Sequence, residues 1–394
     1  MIAGSRATSR KLHLSGVRKL HGGWIVLIAA VLLTLLGVET IDTTRPDVAT
    51  RQFLLGCIGL VAAFGVAFIP SRRLRQASWW LFVGGLLLLV FLLIPIVPDS
   101  IVNPRQGARR WINLGVTDFQ PSELLKIAFV LAMAAHLRFQ KHYRSFWGLI
   151  VALCVALPPM LLILLEPDLG TAMLFLPAMI AMLITAGGRY RHMFIIGLLA
   201  SVCAYFMYQY KLEPYQQDRI KALIAQFQDN TQFEQTIGYQ GAQAKTLIGA
   251  GQLTGVGKEV AGQLLQANHL PEEHNDMIFV VICLRWGLFG AIGTWLLYCM
   301  LGIGGIVAAV GCKDPFPRLV AVGLTAMLLS QMVINTAMTI GFAPITGLTL
   351  PFVSAGGSSL VTTWLMAGIL FGIAMRRDPL MTREGFQFAD RGRK

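Results

Sequence analysis

The sequence is poor in charged residues. Only 13% of its 394 residues are Asp, Glu, Lys or Arg, whereas 55% are hydrophobic, a balance that excludes an ordinary water-soluble globule. Acidic residues are the scarcer sign, 20 against 33 basic ones, so the net charge is +13. The basic residues form short clusters between long apolar runs, which excludes a nucleic-acid-binding patch and is typical of a polytopic membrane protein.

Cysteines are also few. The six cysteines lie in apolar runs or at their ends, and none forms a CxxC pair. This usage excludes a disulfide scaffold and a zinc-ribbon pattern, and we interpret the cysteines as reduced, small core residues. No His, Cys, Asp or Glu cluster has the spacing of metal ligands, so no metal site is predicted.

Long apolar runs dominate what is present. A bilayer core of about 30 Å requires roughly 20 apolar residues in a helix. Ten runs approach this length: 24–41, 53–69, 79–97, 122–137, 147–165, 168–187, 193–210, 276–310, 319–340 and 357–375. Ten spans put both termini on one side, and most Lys and Arg residues then lie on the cytoplasmic side. The sequence predicts an all-α, multi-pass protein of the cytoplasmic (inner) membrane with ten transmembrane helices and both termini cytoplasmic.

The predicted organisation has three parts. No cleavage site of the secretory type follows the first apolar run, so we expect this run to remain as an anchor. The parts are a cytoplasmic tail 1–23, a ten-helix membrane domain 24–375 with a large extracytoplasmic loop 212–275, and a cytoplasmic tail 376–394.

Two segments allow alternatives. The 276–310 run could be two short spans divided at Gly302 to Gly305, but that division would place the basic C-terminus outside. One long, tilted helix is therefore predicted. The glycines between Gly249 and Lys258 have the wrong spacing for a phosphate loop, and we interpret them as a flexible turn.

Charged residues at membrane depth are costly and usually have a partner or a task. Glu123 and Lys126 are three residues apart in the fourth run, so they share a helix face and can form an ion pair. A structural pair and a functional pair are equally compatible with this spacing. Asp168 follows Pro167 in a tight turn before the sixth run, where a helix N-cap is the favoured role.

Asp276 directly precedes the eighth run. An Asp at such a position is more often a cap than a catalyst, but it shares one side of the membrane with Arg109, Arg110 and a glycine-rich segment, 341–359. A carboxylate beside cations suits transfer of a sugar from a diphosphate. The carboxylate accepts the proton of the attacking hydroxyl, and the cations stabilise the leaving group.

Five strings follow one another in the sequence: GARRWINLG at 107–115, FQPSELLK at 119–126, EPDLGT at 166–171, PEEHND at 271–276 and GLTLPFVSAGGSS at 347–359, the last preceded by Asn335. Together they resemble the SEDS family, which includes FtsW, RodA and SpoVE. The chain departs from the family pattern at Leu284 and Arg285, where the family has an acidic stretch, and at Ala355, where it has Tyr.

The resemblance implies a peptidoglycan glycosyltransferase. Such an enzyme polymerises lipid II into β-1,4-linked glycan strands on the outer face of the membrane, with a class B penicillin-binding protein as transpeptidase partner. Membrane lipid is then a further partner, and nucleic acid is not. The resemblance implies Asp276 as general base, with Glu123 and Lys126 as the other catalytic residues. Those expected to bind substrate are Arg109, Arg110, Asp168, His274 and Ser358.

Two other functions are compatible with the same residues. One is a flippase for lipid-linked precursors such as lipid II, and the other is a non-catalytic scaffold of the division or elongation machinery. No cofactor is assigned, although a divalent cation beside the diphosphate would be chemically sensible. The sequence does not distinguish a role in elongation, division or sporulation.

Overall fold

The computed structural model describes residues 22–95, 97–98, 102–105, 108–113, 115, 118–138, 146–210, 217–218, 220–221, 223–224 and 238–376. Most of these residues are helical. The first helices are α1 (Gly22–Ile41), α2 (Pro46–Ala67) and α3 (Ser71–Leu93). The next are α4 (Pro121–Leu137), α5 (Phe146–Leu165), α6 (Leu169–Met173), α7 (Phe175–Thr185) and α8 (Tyr190–Tyr210). The last are α9 (Tyr239–Gly251), α10 (Lys258–Asn268), α11 (Ile278–Val310), α12 (Pro315–Thr339) and α13 (Gly357–Met375).

Among the helices of the described residues, six are long and apolar enough to cross a bilayer: α1, α2, α3, α11, α12 and α13. Shorter apolar helices cover 150–165 and 169–185. Each of the ten predicted runs overlaps a helix, because a continuous apolar segment without polar partners satisfies its backbone groups most simply as a helix. The prediction of a multi-pass membrane protein is confirmed. Most of both predicted tails lies outside the described residues, as does much of 211–237.

A small sheet accompanies the helices, which the all-α prediction did not include. Between α3 and α4 lie β1 (Val102–Arg105), β2 (Ala108–Asn113) and β3 (Asp118–Phe119), which pair antiparallel in the order β1-β2-β3. Ile112 pairs with both Val102 and Phe119. The segment is too short and too polar to cross a membrane, so its backbone groups are satisfied by strand pairing instead.

The helices pack through small residues where their backbones come closest. A Cβ added to Gly368 or Gly372 of α13 would collide with the carbonyl of Ala63 or Ala67 of α2, as expected for helix pairs that meet through small side chains in a membrane. Helix α2 packs on α13 and α1. Helix α3, which follows α2 in the sequence, packs instead on α4 and α5. Consecutive helices α2 and α3 therefore diverge.

The long helix predicted over 276–310 is present as one candidate span, Ile278–Val310, but it contains a break near its start. Gly287 of α11 has a φ of 63°, which breaks the helix into Ile278–Trp286 and a longer segment, 288–310. The division lies far from Gly302 to Gly305. Glycine is suited to this break because it adopts positive φ without steric cost.

Residues 251–257, here called the glycine strap, cross the break and bond to its backbone. Val256 N donates to Leu284 O (3.0 Å) and Leu288 N donates to Gln252 O (2.9 Å). A turn is present at 252–254, as predicted, and its hydrogen bonds make the strap a structural part of α11. On either side of the strap, α9 and α10 form a small apolar core with the first segment of α11.

Candidate active site

Two buried amide side chains on α12 join Lys126 to the backbone of Asp276. Gln331 and Asn335 are four residues apart, so they share one helix face, and their exposed fractions are 1% and 0%. Gln331 Oε1 accepts a hydrogen bond from Lys126 Nζ (3.2 Å), and Asn335 Nδ2 donates to Asp276 O (2.8 Å). One face of α12 thus holds the Glu123–Lys126 pair and the Asp276 backbone.

The predicted ion pair is present and buried. Lys126 Nζ lies 2.9 Å from Glu123 Oε1, and the exposed fractions of the two residues are 0% and 5%. Pro121 begins α4, which places Glu123 in the first turn, where the helix dipole favours a negative charge. Within the described part of the chain, Glu123 Oε2 has no hydrogen-bond partner.

Asp276 lies at the end of a turn that is hydrogen-bonded to residues 354 and 355. Ala355 N donates to His274 O (2.9 Å), and Ser354 Oγ donates to Asn275 O (2.6 Å). Asp276 is 7% exposed and precedes Met277, which occupies the N-cap position of α11. His274 therefore lies beside Asp276, fixed through its backbone carbonyl.

The segment that receives this turn, 340–356, is packed rather than open. Its Leu348 carbonyl accepts from Asn335 Nδ2 (2.6 Å), and its Thr349 carbonyl accepts from Gln331 Nε2 (2.9 Å). A Cβ on Gly37 of α1 would collide with the Val353 carbonyl. These contacts hold the 340–356 segment against the turn that carries Asp276.

A second group of charges surrounds the turn between α5 and α6. Asp168 accepts from Thr171 N (3.1 Å), which confirms its predicted role as the N-cap of α6. Arg110 lies 3.8 Å from the Asp168 carboxylate, and its Nε donates to Glu166 O (2.7 Å). Burial, followed by the Asp168 charge, raises the pKa of Glu166 to about 8, although Arg110 lowers it.

Ser358 joins this group to α4. Its Oγ donates to Asp118 O (2.7 Å) and accepts from Gln120 N (3.1 Å). Gln120 Nε2 in turn lies 3.4 Å from Asp168 Oδ2. Ser358 therefore fixes the start of α4, just before Glu123.

Arg109 and Arg110 have different surroundings although they are adjacent in sequence. Arg109 donates to backbone carbonyls that follow α3, including Pro95 O (3.2 Å) and Val97 O. This fixes it at the end of α3, whereas Arg110 joins the Asp168 group, because successive side chains of β2 point to opposite faces.

Gln331 was missed by the sequence reasoning. Two amides four residues apart in the apolar run 319–340 were the available signal, because a buried amide requires hydrogen-bond partners. Thr349 and Gln120 could not be found in this way, since their contacts join distant parts of the chain. Among the described residues, no group of three or more His, Cys, Asp or Glu side chains could hold a metal ion.

The chain is similar to known proteins over most of its length. Residues 18–378 match the FtsW/RodA/SpoVE family model, described as cell cycle protein. The chain is 34% identical over 329 residues to stage V sporulation protein E of Bacillus subtilis, covering 83% of this chain and 86% of that protein. It is 33% identical over 362 residues to a probable peptidoglycan glycosyltransferase FtsW of Geobacter sulfurreducens, covering 89% and 95%.

A solved structure is also similar. It is described as structural coordination of polymerization and crosslinking by a peptidoglycan synthase complex, and one of its chains aligns with a TM-score of 0.76 at 27% identity. The alignment covers 90% of this chain and 98% of that one. The chain belongs to the FtsW, RodA and SpoVE family of cell cycle proteins.

Proposed function

We propose that the protein is a peptidoglycan glycosyltransferase that polymerises lipid II into β-1,4-linked glycan strands. The observation that carries this proposal is the shared face of α12, where Gln331 binds Lys126 and Asn335 binds the backbone of Asp276. This face joins the backbone of Asp276 to the Glu123–Lys126 pair at one end of the helices. The names of the FtsW relatives support the same activity.

The site faces outward in this proposal. The opposite end of the bundle carries Arg72, Arg73 and Arg75 at the start of α3, and Arg376, which donates to Ala67 O at the end of α2. Basic residues concentrate on the cytoplasmic side. Ten membrane helices with both termini cytoplasmic, as the sequence predicts, then put Asp276 on the outer face.

Asp276 acts as the general base. It accepts the proton of the acceptor sugar hydroxyl while that oxygen forms a bond to C1 of the donor sugar. The bond from C1 to the diphosphate oxygen breaks on the opposite face, so an α-linked donor gives a β-linked product in one inverting step. Arg110, whose side chain is 20% exposed, stabilises the negative charge on the departing diphosphate.

Lys126 supports the site in a different way. Because it is fully buried, its charge acts through Gln331, which in turn holds the Thr349 carbonyl. The Glu123–Lys126 pair therefore positions the 340–356 segment, which contacts the Asp276 turn. His274 and Ser358 fix neighbouring segments, and Asp168 orients Arg110.

A lipid-linked substrate can approach from the side. Apolar side chains are exposed on α2 and α3, including Val61 (72%) and Leu87 (64%), and the two helices pack on different neighbours. Such an apolar surface suits a polyprenyl chain that remains in the bilayer. The similar chain belongs to a complex that coordinates polymerization and crosslinking, which supports a class B penicillin-binding protein as partner.

The test is polymerisation by purified protein with its transpeptidase partner. We expect glycan strands from labelled lipid II with the wild type and a loss of at least 100-fold with Asp276→Asn, since general bases contribute about 10²–10⁴-fold. Glu259→Gln is the matched control, because Glu259 is exposed on α10 and removes the same charge.

Three outcomes oppose the proposal. Transbilayer movement of lipid II without strand formation would identify a flippase. Partner activation without either activity would identify a scaffold. Normal strand growth by Asp276→Asn would exclude the mechanism.

A further inference from the structure

Arg285 joins the break in α11 to the turn that follows α1. Its Nη1 donates to Glu39 O and to Thr43 Oγ1 (3.2 Å), and its Nη2 lies 3.2 Å from Glu39 Oε2. The guanidinium carbon lies 4.2 Å from the centroid of the Trp286 ring, within the range of a cation–π contact. The Arg285 side chain is 12% exposed, so these contacts define its position.

The location of Arg285 connects these contacts to the position of Asp276. Asp276 precedes the short segment Ile278–Trp286, and Arg285 lies near its other end. Because Gly287 interrupts the helix, the longer segment 288–310 does not set the direction of the short one. Its direction depends on its own contacts, which are the apolar core with α9 and α10 along its length and the polar contacts at its two ends.

The two ends are held by different parts of the protein. Near Asp276, the partners are Asn335 and the 340–356 segment. At the break, the glycine strap bonds to the backbone, and Arg285 provides the side-chain link to α1. A helix rises about 1.5 Å per residue, so a change at Arg285 is transmitted over a short and rigid distance.

We propose that Arg285 is a positioning residue for Asp276, acting through the segment Ile278–Trp286 and anchored by Glu39 and Thr43. This inference rests on the proposed glycosyltransferase function. A catalytic group displaced by about 1 Å can lose about 10²-fold in rate. Arg285 does not contact substrate, so its loss lowers kcat and leaves KM for lipid II nearly unchanged.

The experiment measures kcat and KM for lipid II polymerisation by the full chain with its partner. Arg285→Ala is expected to lower kcat about 10- to 100-fold. Glu39→Gln is expected to lower it about threefold, because it removes the negative charge of one partner and leaves the contacts with Glu39 O and Thr43 Oγ1 in place. Exchange of the charges in Arg285→Glu with Glu39→Arg is expected to recover at least tenfold relative to Arg285→Glu alone. Glu39 is 63% exposed, so this exchange buries no new unpaired charge there.

Lys258→Ala is the matched control. Lys258 forms an exposed ion pair with Asp42 in the same region, with side chains 47% and 35% exposed, and exposed pairs contribute little. We expect its kcat to stay within twofold of the wild type.

Each failure has a separate meaning. Wild-type kcat in Arg285→Ala, or no recovery in the exchanged pair, would overturn the positioning role. Should Arg285→Ala not fold, Glu39→Gln and the exchanged pair still decide the question. A wild type that makes no glycan strands would instead contradict the proposed function.

Discussion

Replacement of Lys126 by Met separates the structural and functional roles of the buried ion pair. The change removes the ammonium but keeps an unbranched side chain of similar length. It leaves the Glu123 carboxylate 5% exposed without the cation that lies 2.9 Å away. At an effective dielectric constant of about 20, the lost attraction is roughly 6 kcal/mol before desolvation is considered.

The net cost is smaller because the lysine no longer has to be desolvated. Removal of one partner of a buried pair typically costs about 3–5 kcal/mol, and we expect a loss of this size in the unfolding free energy of Lys126→Met in detergent. The double variant Glu123→Gln with Lys126→Met has no buried charge at this site. Its stability is expected to return to within about 1–2 kcal/mol of the wild type.

Activity distinguishes the two roles. Gln331 loses its Lys126 donor in both variants, so we expect lipid II polymerisation to stay at least tenfold below wild type even where stability is restored. Glycan strand length and rate, measured beside thermal unfolding, check this. Wild-type polymerisation by the stable double variant would refute the reasoning and leave the pair a purely structural role.

Two further predictions concern stability. The pKa of Glu166 is raised from 4.5 to about 8, so the folded state favours the protonated acid. The resulting stabilisation of the folded state is complete below about pH 4.5 and is lost as the pH rises through 8. Glu166→Gln, which resembles the protonated form, should therefore gain thermal stability relative to wild type between pH 6 and pH 9, and an unchanged difference in Tm would contradict the assignment. Gly368→Ala should destabilise the protein by about 1–3 kcal/mol through overpacking against Ala63. Gly65→Ala should not destabilise it, because a Cβ at Gly65 meets nothing within 4 Å. Equal Tm values for the two variants would exclude close α2–α13 packing.

Local patterns in the sequence predicted much of the fold. Apolar length was enough to place helices at the ten runs, because backbone groups in lipid must be satisfied within the segment. Spacing was enough to pair Glu123 with Lys126, and the position of Asp168 was enough to assign the N-cap. In each case the partner lies within one helical turn.

Contacts between distant parts of the chain were not predicted. The break at Gly287 depends on the glycine strap, which precedes it by about one helix and one turn in sequence. The link between Gln331 and Lys126 spans two helices that are far apart in the chain. Apolar periodicity has no information about such pairings, so the joining of Asp276 to the ion pair became visible only in three dimensions.

The glycine strap also has a consequence for how the chain is made. Since residues 251–257 leave the ribosome before 278–310, the hydrogen-bond partners of the interrupted backbone already exist when α11 is inserted. An isolated α11 would expose peptide groups to lipid, at a cost of several kcal/mol for each one. We therefore expect the strap to pair with the break in α11 as soon as that helix is inserted, and a deletion within the strap to lower the amount of folded protein in the membrane.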